Sequence, residues 1–367
     1  GEDFDAAGEG TMSASCRVPV SVVVFTIVSW LASAGLAADN AGDTRVPASP
    51  PEQKPVSSTP IRVGIIGLDT SHAAAFTQLL NRVGAADTVP GARVVAAYPQ
   101  GSKDIAASVS RVPGYTEKLR ELGVEIVDSI DALVSRVDAV MLESNDGRVH
   151  PEQAAPVLAA HKPLFVDKPV AGSLADAIAM YRLAAKHGTP MFTSSALRFA
   201  AATQAVRQGS IGEVVGCDTY SPCSLEPTHP DLFWYGIHGC ESLFTVMGTG
   251  CESVTRTRSD DFEIVTGVWK GGRLGTFRGI RRGKSGFGGT AFGTTGIAAV
   301  GGFDGYRPLV VEIVKFFQTG KSPVAEQETL ELYAFMEAAD ESWRRDGARV
   351  TIAEIMQKAS AAADAAR

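Results

Sequence analysis

Two side chains in this sequence have the chemistry to donate or hold a proton, a histidine that titrates near neutrality and a lysine. His238 stands in Tyr235-Gly236-Ile237-His238-Gly239-Cys240-Glu241, and an imidazole titrates near neutrality and can take or give a proton. Lys168 follows a short apolar run and precedes Pro169, whose ring restricts the backbone around it. Glu241 lies three residues beyond His238, on the same face of a helix, and Arg198 follows a further apolar run, so both are candidates to line a substrate crevice. His238 with Glu241 could also begin a metal site, but no third ligand is apparent and no metal is assigned. Arg273, Arg278, Arg281, Arg282 and Lys284 cluster before a Gly-rich stretch. Guanidinium forks suit a carboxylated ligand, and solvated strand edges use the same residues.

A second group of residues could hold a dinucleotide. In such a site the first strand runs into a G-x-G-x-x-G turn, so that backbone N–H groups and a helix N-terminus face the pyrophosphate. Here Gly64 and Gly67 are present, but the turn reads Gly67-Leu68-Asp69-Thr70-Ser71-His72, with Asp69 at the second glycine and His72 at the third. A carboxylate beside a pyrophosphate repels it, whereas the same carboxylate used as a helix N-cap is harmless. The second strand ends in Ala96-Ala97-Tyr98-Pro99-Gln100-Gly101-Ser102-Lys103, without a carboxylate for a ribose 2′-hydroxyl. Ser102 and Lys103 either meet a 2′-phosphate, which favours NADP over NAD, or belong to a solvated loop.

The elements that would position these groups alternate. Ile61–Gly67, Ala92–Tyr98, Val124–Val127, Asp138–Glu143, Pro163–Val166 and Pro190–Thr193 are apolar runs of strand length. Helical spacing fills the gaps over Ser71–Val83, Tyr115–Leu122, Ile130–Val137, Pro151–His161 and Leu174–His187. Strands apolar on both faces and separated by helices predict an α/β fold, a Rossmann-like doubly wound parallel sheet with its ligand crevice at the carboxyl ends of the strands. After about Ser195 longer alternating runs take over. Phe262–Lys270, Gly271-Gly272 and Arg273–Ile280 read as a hairpin with a two-residue turn. A second α/β domain with an open, mostly antiparallel sheet is expected, followed by helices over Leu309–Gln318, Thr329–Arg345 and Ile352–Ala366.

Four segments in fixed order resemble the glucose-fructose oxidoreductase, inositol dehydrogenase and MocA family, Gfo/Idh/MocA. They are VGIIGLDTSHAAAF, VDAVMLESNDGRVHPEQAAPVLAAHKPLFVDKPVAGS, GIHGCESLFTVMGTG and FMEAADES, and the resemblance spans roughly Ile61 to Ala366. Its most specific part is Asp167-Lys168-Pro169, similar to the family's carboxylate-Lys-Pro signature. The resemblance implies a Rossmann domain that holds NAD or NADP and a second domain whose sheet covers a sugar or polyol substrate. It implies that Lys168 sits near the nicotinamide and that His238 is the general acid/base. It adds Thr70, Ser71, Glu143, Asn145, His150 and Asp167 to the cofactor-binding residues. The family often has Asp four residues before the histidine, and Trp234 stands there. With Asp69, it keeps open a carbohydrate-binding or scaffold protein that retains the fold without redox turnover.

The 34 basic and 41 acidic residues leave a net charge of -7, which argues against a nucleic-acid partner. The run Val18–Leu36, preceded by Met12 and Arg17 and followed by small residues, reads as a secretory signal cleaved near Ala37 or Ala38, or as an uncleaved membrane anchor. The residues before Met12 read as an over-long gene start. A secreted or periplasmic location is therefore expected, with a signal over 12–38, a linker over 39–60, a Rossmann-like domain over 61–195 and a substrate domain over 196–367. A homo-oligomer is compatible with this reading. Beyond Cys16, four cysteines remain, enough for two disulfides or for four buried thiols.

Overall fold

β-Branched and aliphatic residues on both faces of each strand force the first sheet into the interior, where helices must cover both sides. In the computed structural model, which describes residues 59–365, this is the arrangement found. The signal, the residues before it and all but the last two residues of the linker lie outside the described residues. β1 (Ile61–Ile66), α1 (Ser71–Asn81), β2 (Ala92–Tyr98), α2 (Ala106–Glu121), β3 (Glu125–Ile126), α3 (Ile130–Val134), β4 (Ala139–Leu142), α4 (His150–Ala159), β5 (Leu164–Val166), α5 (Leu174–His187) and β6 (Met191–Thr193) alternate along the chain. Every strand pair is parallel, in the order β3-β2-β1-β4-β5-β6. The order reverses at β1, so the crevice lies between the loops that follow β1, β2 and β4. α2 starts nine residues before the helix expected at Tyr115, because Pro113 is accommodated inside it.

The rest of the described chain builds a second sheet. A short 3₁₀ turn (Ala196–Phe199) leads into α6 (Ala201–Arg207), β7 (Val214–Pro222), a π-helical turn (Leu232–Gly236) and α7 (Ile237–Met247). β8 (Cys251–Arg258), β9 (Phe262–Trp269), β10 (Leu274–Ile280), β11 (Gly288–Gly293) and β12 (Ile297–Val300) follow, then α8 (Arg307–Thr319), α9 (Glu326–Arg344), β13 (Val350–Thr351) and α10 (Ile352–Ala365). The seven strands order as β12-β11-β7-β10-β9-β8-β13. All pairs are antiparallel except β7 with β10. The hairpin between β9 and β10 forms in the expected place with Gly271 and Gly272 at positive φ. Its loop holds Lys270 as well, because Trp269 N–H donates to Arg273 across the turn at 2.8 Å.

Period two in β1 sends Val63 and Ile65 to one apolar core and Ile66 to another. The first core is closed by α1 and, from far down the chain, by α8, whose Leu309, Val310, Ile313 and Phe316 are buried there. Phe316 meets Phe192 of β6 edge to face, with centroids 4.8 Å apart. The second core joins α5, α7, α9 and α10 to the second sheet. α7 lies close against β10, since a Cβ at Gly239 would overlap the Phe277 ring. Cys217, Cys223, Cys240 and Cys251 are free and buried, so no disulfide forms among them.

Candidate active site at the carboxyl ends of the strands

Lys168 follows β5 and His238 sits in the first turn of α7. Both approach one ring, that of Tyr235. The Lys168 ammonium is 5.8 Å from its centroid, and the His238 ring packs edge-on with centroids 5.1 Å apart. The two are near enough that the Lys168 charge, after burial, helps hold the His238 imidazole well below its ordinary pKa. His238 is thus a neutral imidazole at neutral pH. Its Nδ1 lies 2.8 Å from Ser195 Oγ, just past β6. The tautomer that donates from Nδ1 to this hydroxyl leaves Nε2 with the lone pair a base needs. Lys168 is also pushed down by burial, against the pull of Asp167, Glu143 and Glu241.

Arg198 and Glu241 do not line the crevice as expected. Glu241 accepts from Ser194 Oγ at 2.6 Å, from Ser195 N–H at 2.7 Å and from Arg198 Nε at 2.7 Å. Arg198 also pairs with Glu328 of α9, which takes Arg207 as well. Both are buried, and a buried charge is tolerated only when its partners surround it. Their role is to fix the turn that carries Ser195 against α7.

The phosphate turn also departs from expectation. Asp69 neither faces outward nor caps α1. It is fully buried, accepting from Ser108 Oγ at 2.6 Å and from Asn145 N–H at 3.0 Å. Burial raises its pKa despite these bonds. The N-cap is Thr70, whose hydroxyl accepts His72 N–H, and Ser71 bonds Tyr306. Gly67, at φ +90°, allows the turn to touch the loop after β4, because any Cβ would overlap Ser144. Gly64 lies within β1, where a Cβ would strike Leu133 of α3, so it serves packing. Asn145 contributes only its backbone to Asp69. His150 is buried, its Nε2 2.7 Å from the Ser144 carbonyl, and burial lowers its pKa. Ser102 is used internally, with its N–H on Ser108 and its hydroxyl on Asp146. Lys103 is exposed.

Sequence reasoning missed Asp146, which is fully buried among Ser102, Arg148 and His229. Burial pushes its pKa up, but bonds from His229, Arg148 and Ser102 outweigh this and hold it well below the carboxylate range. Arg148 reaches on to Asp104 with two bonds near 3 Å. His229, on the segment between β7 and α7, lies 3.1 Å from Asp146 and so links that segment to the loop after β4. Ser195 and Tyr235 were also missed. A hydroxyl just past a strand end and an aromatic three residues before His238 were the available signals.

Asp167, His72 and Glu143 converge beside Lys168. Asp167 Oδ2 is 2.6 Å from His72 Nδ1. Burial raises Asp167, but the charge and hydrogen bond of His72 and the charge of Lys168 bring it below its ordinary value. Burial, then the Asp167 charge, pushes Glu143 well above its own. Among the described residues, Gln100 Oε1, Ser144 Oγ, both Glu143 oxygens and Asp167 Oδ1 are buried without a hydrogen-bond partner. Gln100 and Ser144 follow the two strands flanking β1, where ribose hydroxyls can satisfy them. With Asp69 turned inward and the Gly67 turn glycine-dependent, the residues present fit a dinucleotide.

Residues 61–194 match the model of an oxidoreductase family with an NAD-binding Rossmann fold, Gfo/Idh/MocA. No curated protein matches the chain. Among solved structures, scyllo-inositol dehydrogenase from Lactobacillus casei with bound NAD(H) and scyllo-inositol is 16% identical, with a TM-score of 0.64, covering 80% of this chain and 100% of that one. An oxidoreductase from Agrobacterium radiobacter in complex with NAD+, L-tartaric acid and magnesium is 17% identical at a TM-score of 0.64, covering 81% and 100%. Myo-inositol dehydrogenase from Lactobacillus casei in complex with NAD(H) and myo-inositol is 16% identical at 0.63, covering 80% and 97%. At such identities the likeness is one of fold.

Proposed function

We propose, from the match of residues 61–194 to the model of the NAD-binding Gfo/Idh/MocA oxidoreductases, that the chain is of that family and transfers a hydride between a sugar or polyol hydroxyl carbon and NAD or NADP. The observation that carries this reading is the approach of Lys168 and His238 to Tyr235 at the carboxyl ends of the strands. A bound nicotinamide supplies the hydride acceptor. Lys168 donates a hydrogen bond to the substrate oxygen and favours its alkoxide character. Neutral His238 takes the hydroxyl proton, with Ser195 holding its other ring nitrogen. Gln100 and Ser144 satisfy ribose hydroxyls, and the Gly67 turn admits the phosphates. The apolar run Val18–Leu36 supports a secreted or periplasmic location as part of the same proposal.

The test is formation of reduced nicotinamide with a panel of sugars and polyols. Lys168→Ala and His238→Ala should each lower turnover about a hundredfold or more without shifting the unfolding midpoint much. Normal turnover by either variant removes that residue from the mechanism. One observation favours the second reading, a carbohydrate-binding protein without redox turnover: Asp146, Arg148 and Asp104 tie the loops after β2 and β4 together across the end of β1. Sugar binding by calorimetry with no detectable binding of either dinucleotide would select it.

A further inference from the structure

We propose that His72, Glu143 and Asp167 form a binding site for a divalent transition-metal cation, Zn²⁺ or Mn²⁺, beside Lys168 at the carboxyl ends of β4 and β5. The three residues come from three elements, the first turn of α1 and the ends of β4 and β5. Each offers one ligand atom, and these atoms all lie within 4.8 Å of one another. Metal–ligand bonds of about 2.0–2.2 Å around one centre require the 2.6 Å His72–Asp167 hydrogen bond to open and the wider pairs to close in, within the reach of side-chain adjustments. The donor set, one imidazole nitrogen and two carboxylates, suits a borderline cation.

A second observation points to a ligand independently of the cluster. Glu143 is wholly buried with both carboxylate oxygens unpartnered, and Asp167 Oδ1 in the same cluster is unpartnered too. Three unpartnered carboxyl oxygens around one imidazole are what a bound cation would satisfy. His72 is held in place for the task, stacked on Phe76 at 5.3 Å and edge-on to Tyr306 at 4.8 Å. Two opposing charges face the site, the Lys168 ammonium and the positive end of α1. Once the cation has displaced the proton from Glu143, two carboxylates outweigh the partial charge of the helix end, and the Lys168 ammonium already lies over the Tyr235 ring, 5.8 Å from its centroid. The inference goes beyond hydride transfer and does not depend on it.

The experiment uses the full chain, stripped with a chelator, dialysed and titrated calorimetrically with Zn²⁺ and Mn²⁺, without nucleotide or substrate. Co²⁺ provides a visible spectrum of the site. One equivalent per chain is expected, with affinity weakened about tenfold or more in His72→Ala and in Glu143→Gln and the Co²⁺ bands changed in His72→Ala. Glu143→Gln is isosteric, and circular dichroism of each variant shows whether it is folded. A His161→Ala/His187→Ala double variant removes a histidine pair elsewhere, whose rings are 6.3 Å apart, and should bind as before. Absence of stoichiometric binding, unchanged affinity in folded Glu143→Gln, or loss of binding in the double variant would each overturn the site. Nicotinamide turnover is measured separately, so its failure leaves this result standing.

Discussion

Asp69 and His238 show how far a residue's meaning depends on what surrounds it. In the sequence Asp69 occupies a glycine position, and its carboxylate either repels a pyrophosphate or caps a helix. Folded, it is an internal brace between the start of α2 and the loop after β4. Asp69→Gly should therefore cost stability, by about 1–3 kcal/mol for two lost partners of a buried acceptor, and should not tighten dinucleotide binding. Asp69→Asn keeps an acceptor and should lose less; chemical denaturation of both variants, with calorimetry for the nucleotide, checks this. His238 was legible as a candidate acid/base from its motif, but its titration was not, because burial and Lys168 set it. Since its folded pKa lies well below the ordinary value, it is in the base form at neutral pH, and the acid limb of the pH–rate profile should fall below that of a free imidazole. Lys168→Ala removes one of the depressing charges, so any residual activity should show that limb at higher pH. An unmoved limb would separate the two residues.

The elements were largely legible because strand-length apolar runs and helical spacing both report burial, and burial decides this fold. Where boundaries slipped, as at the start of α2, a proline was accommodated inside a helix. Long-range pairing was not legible. Arg198, Glu241, Arg207 and Glu328 come from the 3₁₀ turn, α7, α6 and α9, and no spacing rule links them, yet they form one ionic network, buried except for Arg207. Glu328→Ala takes one of two carboxylate partners from buried Arg198 and leaves solvent-exposed Arg207 to water, and should destabilise by up to about 3 kcal/mol, seen as a lower denaturation midpoint. A shift within error would show that water replaces the carboxylate. Because Glu241 also holds Ser195, Arg198→Ala should raise KM or lower kcat without contacting substrate.

At the scale of the whole molecule, the expected division near Ser195 leaves out the return of α8 to the first sheet. Its apolar stripe is buried with β1, α1 and β6 in one core. A fragment of residues 59–195 should therefore expose that face, bind a hydrophobic dye and unfold without a sharp transition, whereas 59–365 unfolds cooperatively; calorimetry distinguishes them. A cooperative fragment would make α8 a dispensable cover. The same return of α8 bears on biosynthesis. A ribosome delivers β1 through β6 first and α8 only after six of the seven strands of the second sheet, so one face of the nascent parallel sheet, covered only in part by α1, waits while most of the remaining chain is made. During that interval Phe192 and its neighbours present an aromatic surface to the cell, and holding it from aggregation falls to chaperones until the helix that belongs there has emerged.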